Sequence, residues 1–277
     1  MKVITCNIPD SIDQSLQERI AADGTDCDHI AAIALARYLQ QPLHTLFQVS
    51  TSAALVEGLF QGAVRVSRLL RHGDFGLGTF VDLDGEMVVL DGICYQVSSD
   101  GSTKVVEGER LIPYAVVTRF NAETERQCKQ ISTFAELVKL CDSLRRSDNI
   151  FHAFRVRGQF SLAKTRVMHA VSRGTGLQTA ASGQQEFLFE DVDGTLVGLW
   201  SPNYAGAFSV PGYHFHFISA DRKRGGHVLE CSIQTATIEC CTMNELHVSL
   251  PETEEFLKAN LTRDPQSALT DAERNHD

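Results

Sequence analysis

The stretch Tyr213-His214-Phe215-His216-Phe217-Ile218, followed by Gly225-Gly226-His227-Val228, constrains the fold of this 277-residue chain more than any other. Period-2 geometry puts His214 and His216 on one face of a strand and Phe215 and Phe217 on the other, so one face asks for a core and the other offers imidazoles. If the chain reverses at Asp221-Arg222, an antiparallel register pairs 220 with 223, 218 with 225 and 216 with 227, which sets His227 beside His216. Three imidazoles from two adjacent strands can converge on one ion at about 2.0–2.1 Å each and leave a coordination position open, as catalytic zinc sites do. The bland alternative is two surface histidines flanking a core-facing phenylalanine pair, with an unrelated third and Gly225-Gly226 as turn or bulge.

Elsewhere the pattern is that of an α+β chain. Thr79–Leu83, Asp84-Gly85 and Glu86–Leu90 read as a hairpin, because both central positions of a two-residue loop need positive φ and Asp-Gly supplies it. A second Asp-Gly at Asp91-Gly92 continues a meander to about residue 120. A short helix is expected over Ser52 to Phe60, and another over Thr133–Ser147 with Thr133 as N-cap. Strands are expected at 151–156, 160–168, 194–200, 208–220, 227–235 and 236–240, with 171–188 a long polar loop able to cover a site and the tail after Pro265 frayed.

The eight cysteines include no C-x-x-C pair, so free thiols in a reducing compartment are expected rather than a zinc knuckle or a disulfide framework. A net charge of −10 argues against a surface that tracks phosphates, and no apolar run approaches the roughly 20 residues of a membrane span. The start MKVITCNIPDSID lacks the apolar stretch of a secretory signal, which makes the cytoplasm the default expectation.

Residues 2–8 alternate as a short strand would, and helical segments follow at 12–22 and 26–40 before Gln40-Gln41-Pro42 marks a boundary. Two domains are therefore expected, 1–42 and 43–277. The strand-helix-helix order, with IPD leading into the first helix and IAAIALARYL in the second, resembles a ribbon-helix-helix module, a fold that reads DNA through a paired strand in a dimer. Its charges are Lys2, Arg19 and Arg37 against Asp10, Asp13, Glu18, Asp23, Asp26 and Asp28, a poor set for the phosphate contacts that dominate DNA affinity. A dimerisation or docking extension is the favoured reading, and a DNA-binding or regulatory protein with a metabolite-sensing remainder is the alternative.

Histidine triads also serve carbonic anhydrase-like and cupin-like proteins, but a cupin would carry Gly where Phe208 stands. The runs QVST (48–51), HGDFGLGTFVDLDGEMVVLDG (72–92), FHAFRVRGQF with KTR (151–166), GTLVGLWSPNYAGAFSVPGYHFHFI (194–218) and GGHV (225–228) together resemble the α-acetolactate decarboxylases over about residues 47–262. That resemblance implies an α+β fold of two related strand-helix-strand units, a homodimer, and Zn2+ held by His214, His216 and His227. It implies Glu86 beside the metal, Arg166 as the active-site arginine, and a glutamate from the C-terminal tail, for which Glu273 is the candidate. The implied reaction is zinc-dependent decarboxylation of (S)-2-acetolactate to (R)-acetoin through a metal-stabilised enediolate, in acetoin and butanediol formation. Acetohydroxybutyrate stays open as a substrate, and neither nucleic acid nor membrane is implied as a partner.

Overall fold

The computed structural model describes residues 3–24, 26–39, 44–172, 174–266 and 268–269, and the chain divides into two units, Met1–Leu43 and His44–Asp277. In the first, α1 (Asp10–Asp23) stops at Gly24, whose φ of 65° is the left-handed conformation that glycine adopts without a Cβ penalty. The helix α2 (Cys27–Tyr38) starts at Asp26, whose carboxylate accepts the His29 N–H at 2.7 Å. The strand expected over 2–8 is absent from the described part of that stretch. A strand needs a ladder, and the described residues of this unit hold no second strand to supply one.

The second unit begins with β1 (Thr45–Val49), α3 (Ser52–Val56), β2 (Val64–Arg65) and α4 (Val66–His72). The meander follows as β3 (Phe75–Thr79), a 3-10 turn at Val81–Leu83, β4 (Glu86–Leu90), β5 (Ile93–Val97), β6 (Thr103–Val105), β7 (Leu111–Ile112) and β8 (Tyr114–Thr118). β9 (Thr124–Ile131) leads to α5 (Phe134–Leu144), capped by the Thr133 hydroxyl on the Glu136 N–H at 3.2 Å. Then come β10 (Phe151–Val167), α6 (Leu177–Ala181), β11 (Gln185–Ser201), β12 (Gly212–Ser219), β13 (Gly225–Met243), β14 (Glu245–Ser249) and α7 (Glu254–Lys258). The fold is α+β, as expected, and no helix among the described residues is long and apolar enough to cross a membrane.

One sheet has seven strands in the order β14-β1-β8-β3-β4-β5-β6, antiparallel except for β1 on β14. In the other, β10, β11, β12 and β13 pair in sequence and β10 also pairs with β13, so the four strands close on themselves while β9 lies along β13. Three cores result. Phe154, Phe160, Phe215 and Phe217 face one way with Leu137 and Cys141 of α5. Val197, Ile218 and Cys241 face the opposite way, onto Leu77, Val88, Tyr95 and Val116 of the seven-stranded sheet. Met87, Val89 and Val117 fill the far side of that sheet under Val66 and Leu69 of α4.

Several expectations need correction. The two-residue hairpin falls at the second Asp-Gly, where Asp91 (φ 53°) and Gly92 (φ 79°) join the paired Leu90 and Ile93. The first connection is longer, because Thr79 pairs with Glu86 and residues 80–85 form the loop. Burial of Leu83 in the inter-sheet core pulls 81–83 out of the strand, with Asp82 and Leu83 both at positive φ. β10 is continuous through Gly158, since that glycine marks a close approach rather than a break: a Cβ there would stand 2.0 Å from the Thr235 carbonyl oxygen. β13 likewise runs unbroken where two strands were expected, and β12 starts at Gly212 rather than at 208. Part of the expected loop 171–188 is α6 and the start of β11. All eight cysteines are free, as expected, and burial pushes the Cys94 and Cys231 thiols up to about 12.

Candidate active site

The register places His216 opposite His227, with Ile218 opposite Gly225, as the spacing predicts. On its other edge His227 pairs with Arg166 of β10, so Arg166, His227 and His216 form one row across three strands. Two glycines make this row possible. A Cβ on Gly225 would stand 2.5 Å from the Phe217 carbonyl oxygen, and one on Gly226 (φ 143°) would stand 2.8 Å from that of Arg166. Thr165 adds a hydrogen bond from its hydroxyl to Gly225 O at 3.2 Å.

A second row faces it from the seven-stranded sheet, where Glu86 pairs with Thr79 and Thr79 with Tyr114. Glu86 Oε2 lies 3.6 Å from His216 Nε2, and both residues are buried. Arg166 is only 3% exposed. The two sheets thus bring five of the six residues singled out in the sequence to one cavity, while Glu273 lies outside the described residues.

The three histidines converge tightly. His214 Nε2 is 3.1 Å from His216 Nε2 and 3.0 Å from His227 Nδ1, and the facing nitrogens all lie within 4.8 Å of one another. His216 Nδ1 donates to the Met87 carbonyl oxygen at 2.7 Å; a carbonyl can only accept, so Nε2 presents its lone pair to the cluster. Burial, with Arg166 nearby, pushes His214 down to about 3, which keeps its imidazole neutral at ordinary pH. Imidazole nitrogens that turn their lone pairs toward one point are the donors a cation takes up, and neutral imidazole is the form that ligates metals. The donor set therefore fits a metal ion.

Sequence reasoning missed two kinds of residue here. Thr79 is buried and its hydroxyl donates to Gly85 O at 2.9 Å, and Tyr114 lines the cavity, but neither carries a spacing signal. The apolar wall of Leu55, Leu83, Met168, Leu177 and Val210 comes from four separate connections, Met168 and Leu177 sharing the one between β10 and β11, and has no local pattern either. The QVST run and the Ser52 that follows it act indirectly: the Gln48 side-chain amide donates to Phe208 O and the Ser52 hydroxyl to Gly206 O at 2.8 Å, fixing the loop that carries Val210.

Residues 46–263 match the family described as Alpha-acetolactate decarboxylase. The chain is 39% identical over 230 residues to an alpha-acetolactate decarboxylase of Methanosarcina mazei, covering 83% of this chain and 80% of that protein. It is 36% identical over 233 residues to one of Brevibacillus brevis, covering 84% and 82%. Among solved structures, the alpha-acetolactate decarboxylase of Bacillus subtilis strain 168 superposes with a TM-score of 0.80 at 32% identity, covering 83% of this chain and 98% of that one.

Proposed function

Since the chain belongs to the alpha-acetolactate decarboxylase family, we propose that it decarboxylates (S)-2-acetolactate to (R)-acetoin, with Zn2+ held by His214, His216 and His227. The observation that carries this reading is the convergence of three imidazoles on one point beside a buried arginine and a buried glutamate. Zinc in such a site supplies Lewis-acid stabilisation of the negative charge that develops on substrate oxygens.

The chain's own residues do the rest. Arg166, fixed in the row beside His227, offers a planar guanidinium to the substrate carboxylate and orients the bond that breaks. The apolar wall excludes water from the carbon that loses carbon dioxide and strengthens every charge interaction in the cavity. Decarboxylation of the substrate anion consumes one proton overall. Glu86 or Glu273 takes the hydroxyl proton and returns it to one face of the new carbanionic carbon, which yields a single enantiomer, and the oxyanion left behind takes the consumed proton from solvent.

The remaining assignments follow the same reading. We propose a cytoplasmic homodimer acting in acetoin and butanediol formation, with residues 1–42 as a dimerisation or docking extension and 43–277 as the catalytic domain. The test is His214→Ala, with zinc content and acetoin release measured on the same sample. Loss of both is expected, and turnover retained without zinc overturns the proposal.

A further inference from the structure

The cavity has two walls of different origin. Its polar side chains, from Thr79 and Glu86 to Arg166 and the three histidines, all stand on strands of the two sheets. Its large apolar side chains all stand on connections: Leu55 on α3, Leu83 in the 3-10 turn, Met168 just past β10, Leu177 on α6 and Val210 before β12. The polar wall is laddered in place, and the apolar wall is what gives the cavity its shape.

We infer that Leu177 sets the length of the alkyl substituent accepted on an α-hydroxy-β-keto acid, favouring methyl over ethyl, an inference that rests on the decarboxylase reading above. Three of the five apolar residues lie close in the chain to polar residues of the cavity. Leu83 lies three residues before Glu86, Met168 two after Arg166, and Val210 four before His214. Changes there shift the polar wall as well. Of the other two, Leu55 stands on the short helix whose Ser52 anchors the loop that carries Val210, whereas the connection that carries Leu177 brings no polar residue to the cavity, and Leu177 is only 5% exposed.

The connection that carries it also meets the rest of the unit at two points. The Val171 N–H donates to Asp82 O at 2.8 Å. Gly58 (φ 79°) sits so close to the same connection that a Cβ would stand 2.6 Å from the Thr175 carbonyl oxygen. Leu177 is therefore a wedge pressed toward the cavity beside Leu55 while the rim is closed, and the space it fills is space denied to substrate. One methylene in an apolar pocket is worth about 10- to 200-fold in discrimination, which is the range a single wedge residue can command.

The test measures kcat/KM of the full-length, zinc-loaded protein for 2-acetolactate and for its homologue with one methyl replaced by ethyl. The ratio of the two values is indifferent to the fraction of protein folded or loaded. The native chain is expected to favour 2-acetolactate. Leu177→Ala should swing the ratio toward the ethyl homologue by about tenfold, and Leu177→Phe should swing it the other way. Leu177→Val, a smaller change expected to move the ratio by a few-fold, serves if the alanine variant does not fold. A ratio within twofold of native in the alanine (or valine) and phenylalanine variants overturns the role of Leu177. A native protein that binds zinc and turns over neither acid overturns the decarboxylase reading instead.

Discussion

His216 is hydrogen-bonded across the two sheets to Met87, Nδ1 to carbonyl oxygen, at 2.7 Å. Met87 sends its side chain into the far core under α4, so the ring orientation of a candidate metal ligand depends on packing two layers away. Partners of this kind are what hold a ligating imidazole in one tautomer and one pose.

Replacing His214, His216 or His227 with alanine should remove bound zinc and lower acetoin release by more than about 100-fold, the upper end of what losing a supporting residue alone does. Elemental analysis and an acetoin assay on the same preparation check this. Chelation of the native protein should reproduce the loss, and added zinc should reverse it.

The two candidate proton carriers separate cleanly. Glu86→Gln or Glu273→Gln, whichever residue carries the proton, should keep zinc while turnover falls by about 10²- to 10⁴-fold. The variant of the other residue should lose much less. Single-turnover rates measured beside zinc content decide between them.

For Arg166→Lys the charge survives and the planar fork does not. A lost hydrogen bond to a charged group is worth about 1.5–3 kcal/mol, so kcat/KM should fall by about 10- to 150-fold with zinc content unchanged.

Gly198→Ala probes the face away from the site. The new Cβ would stand 2.0 Å from the Phe215 ring, which lies between His214 and His216 in the chain. Overpacking of this kind costs about 1–3 kcal/mol, which for a domain of this size lowers Tm by about 2–4 °C per kcal/mol. A thermal melt checks the shift, and zinc affinity should weaken along with it.

Acid sensitivity should come partly from His152. It is fully buried, its Nε2 accepts the Arg146 N–H at 3.1 Å, and burial pushes its pKa from 6.5 down to about 4. Between those values the unfolded chain binds a proton that the folded chain refuses. Stability from this group is complete above about pH 6.5 and is lost as the pH falls toward 4. The urea midpoint should therefore drop between pH 7.5 and 5, and by less in His152→Gln.

What the sequence disclosed about this molecule follows its periodicity. Alternation of His and Phe over 214–217, with a return at a computable distance, was enough to place His227 against His216. Turn chemistry was ambiguous by comparison, because Asp84-Gly85 and Asp91-Gly92 look alike locally and only burial of Leu83 tells them apart. Gly158 misled in the same way: a glycine reads as a break until the carbonyl of Thr235 that it accommodates is known. Glu86 and Arg166 were visible through family resemblance alone. Their meeting depends on pairing between strands far apart in the chain, and so does the apolar wall, which no local pattern encodes.

β10 is laddered along both edges, by β11 on one side and β13 on the other, over nearly all of its length. Exchange of the Arg166 amide with solvent deuterium should then require the whole unit to open, whereas α3 and α6, short and outside the ladders, can open alone at far lower cost. Substrate and product can pass while that rim breathes, and the charges that act on them stay where they are.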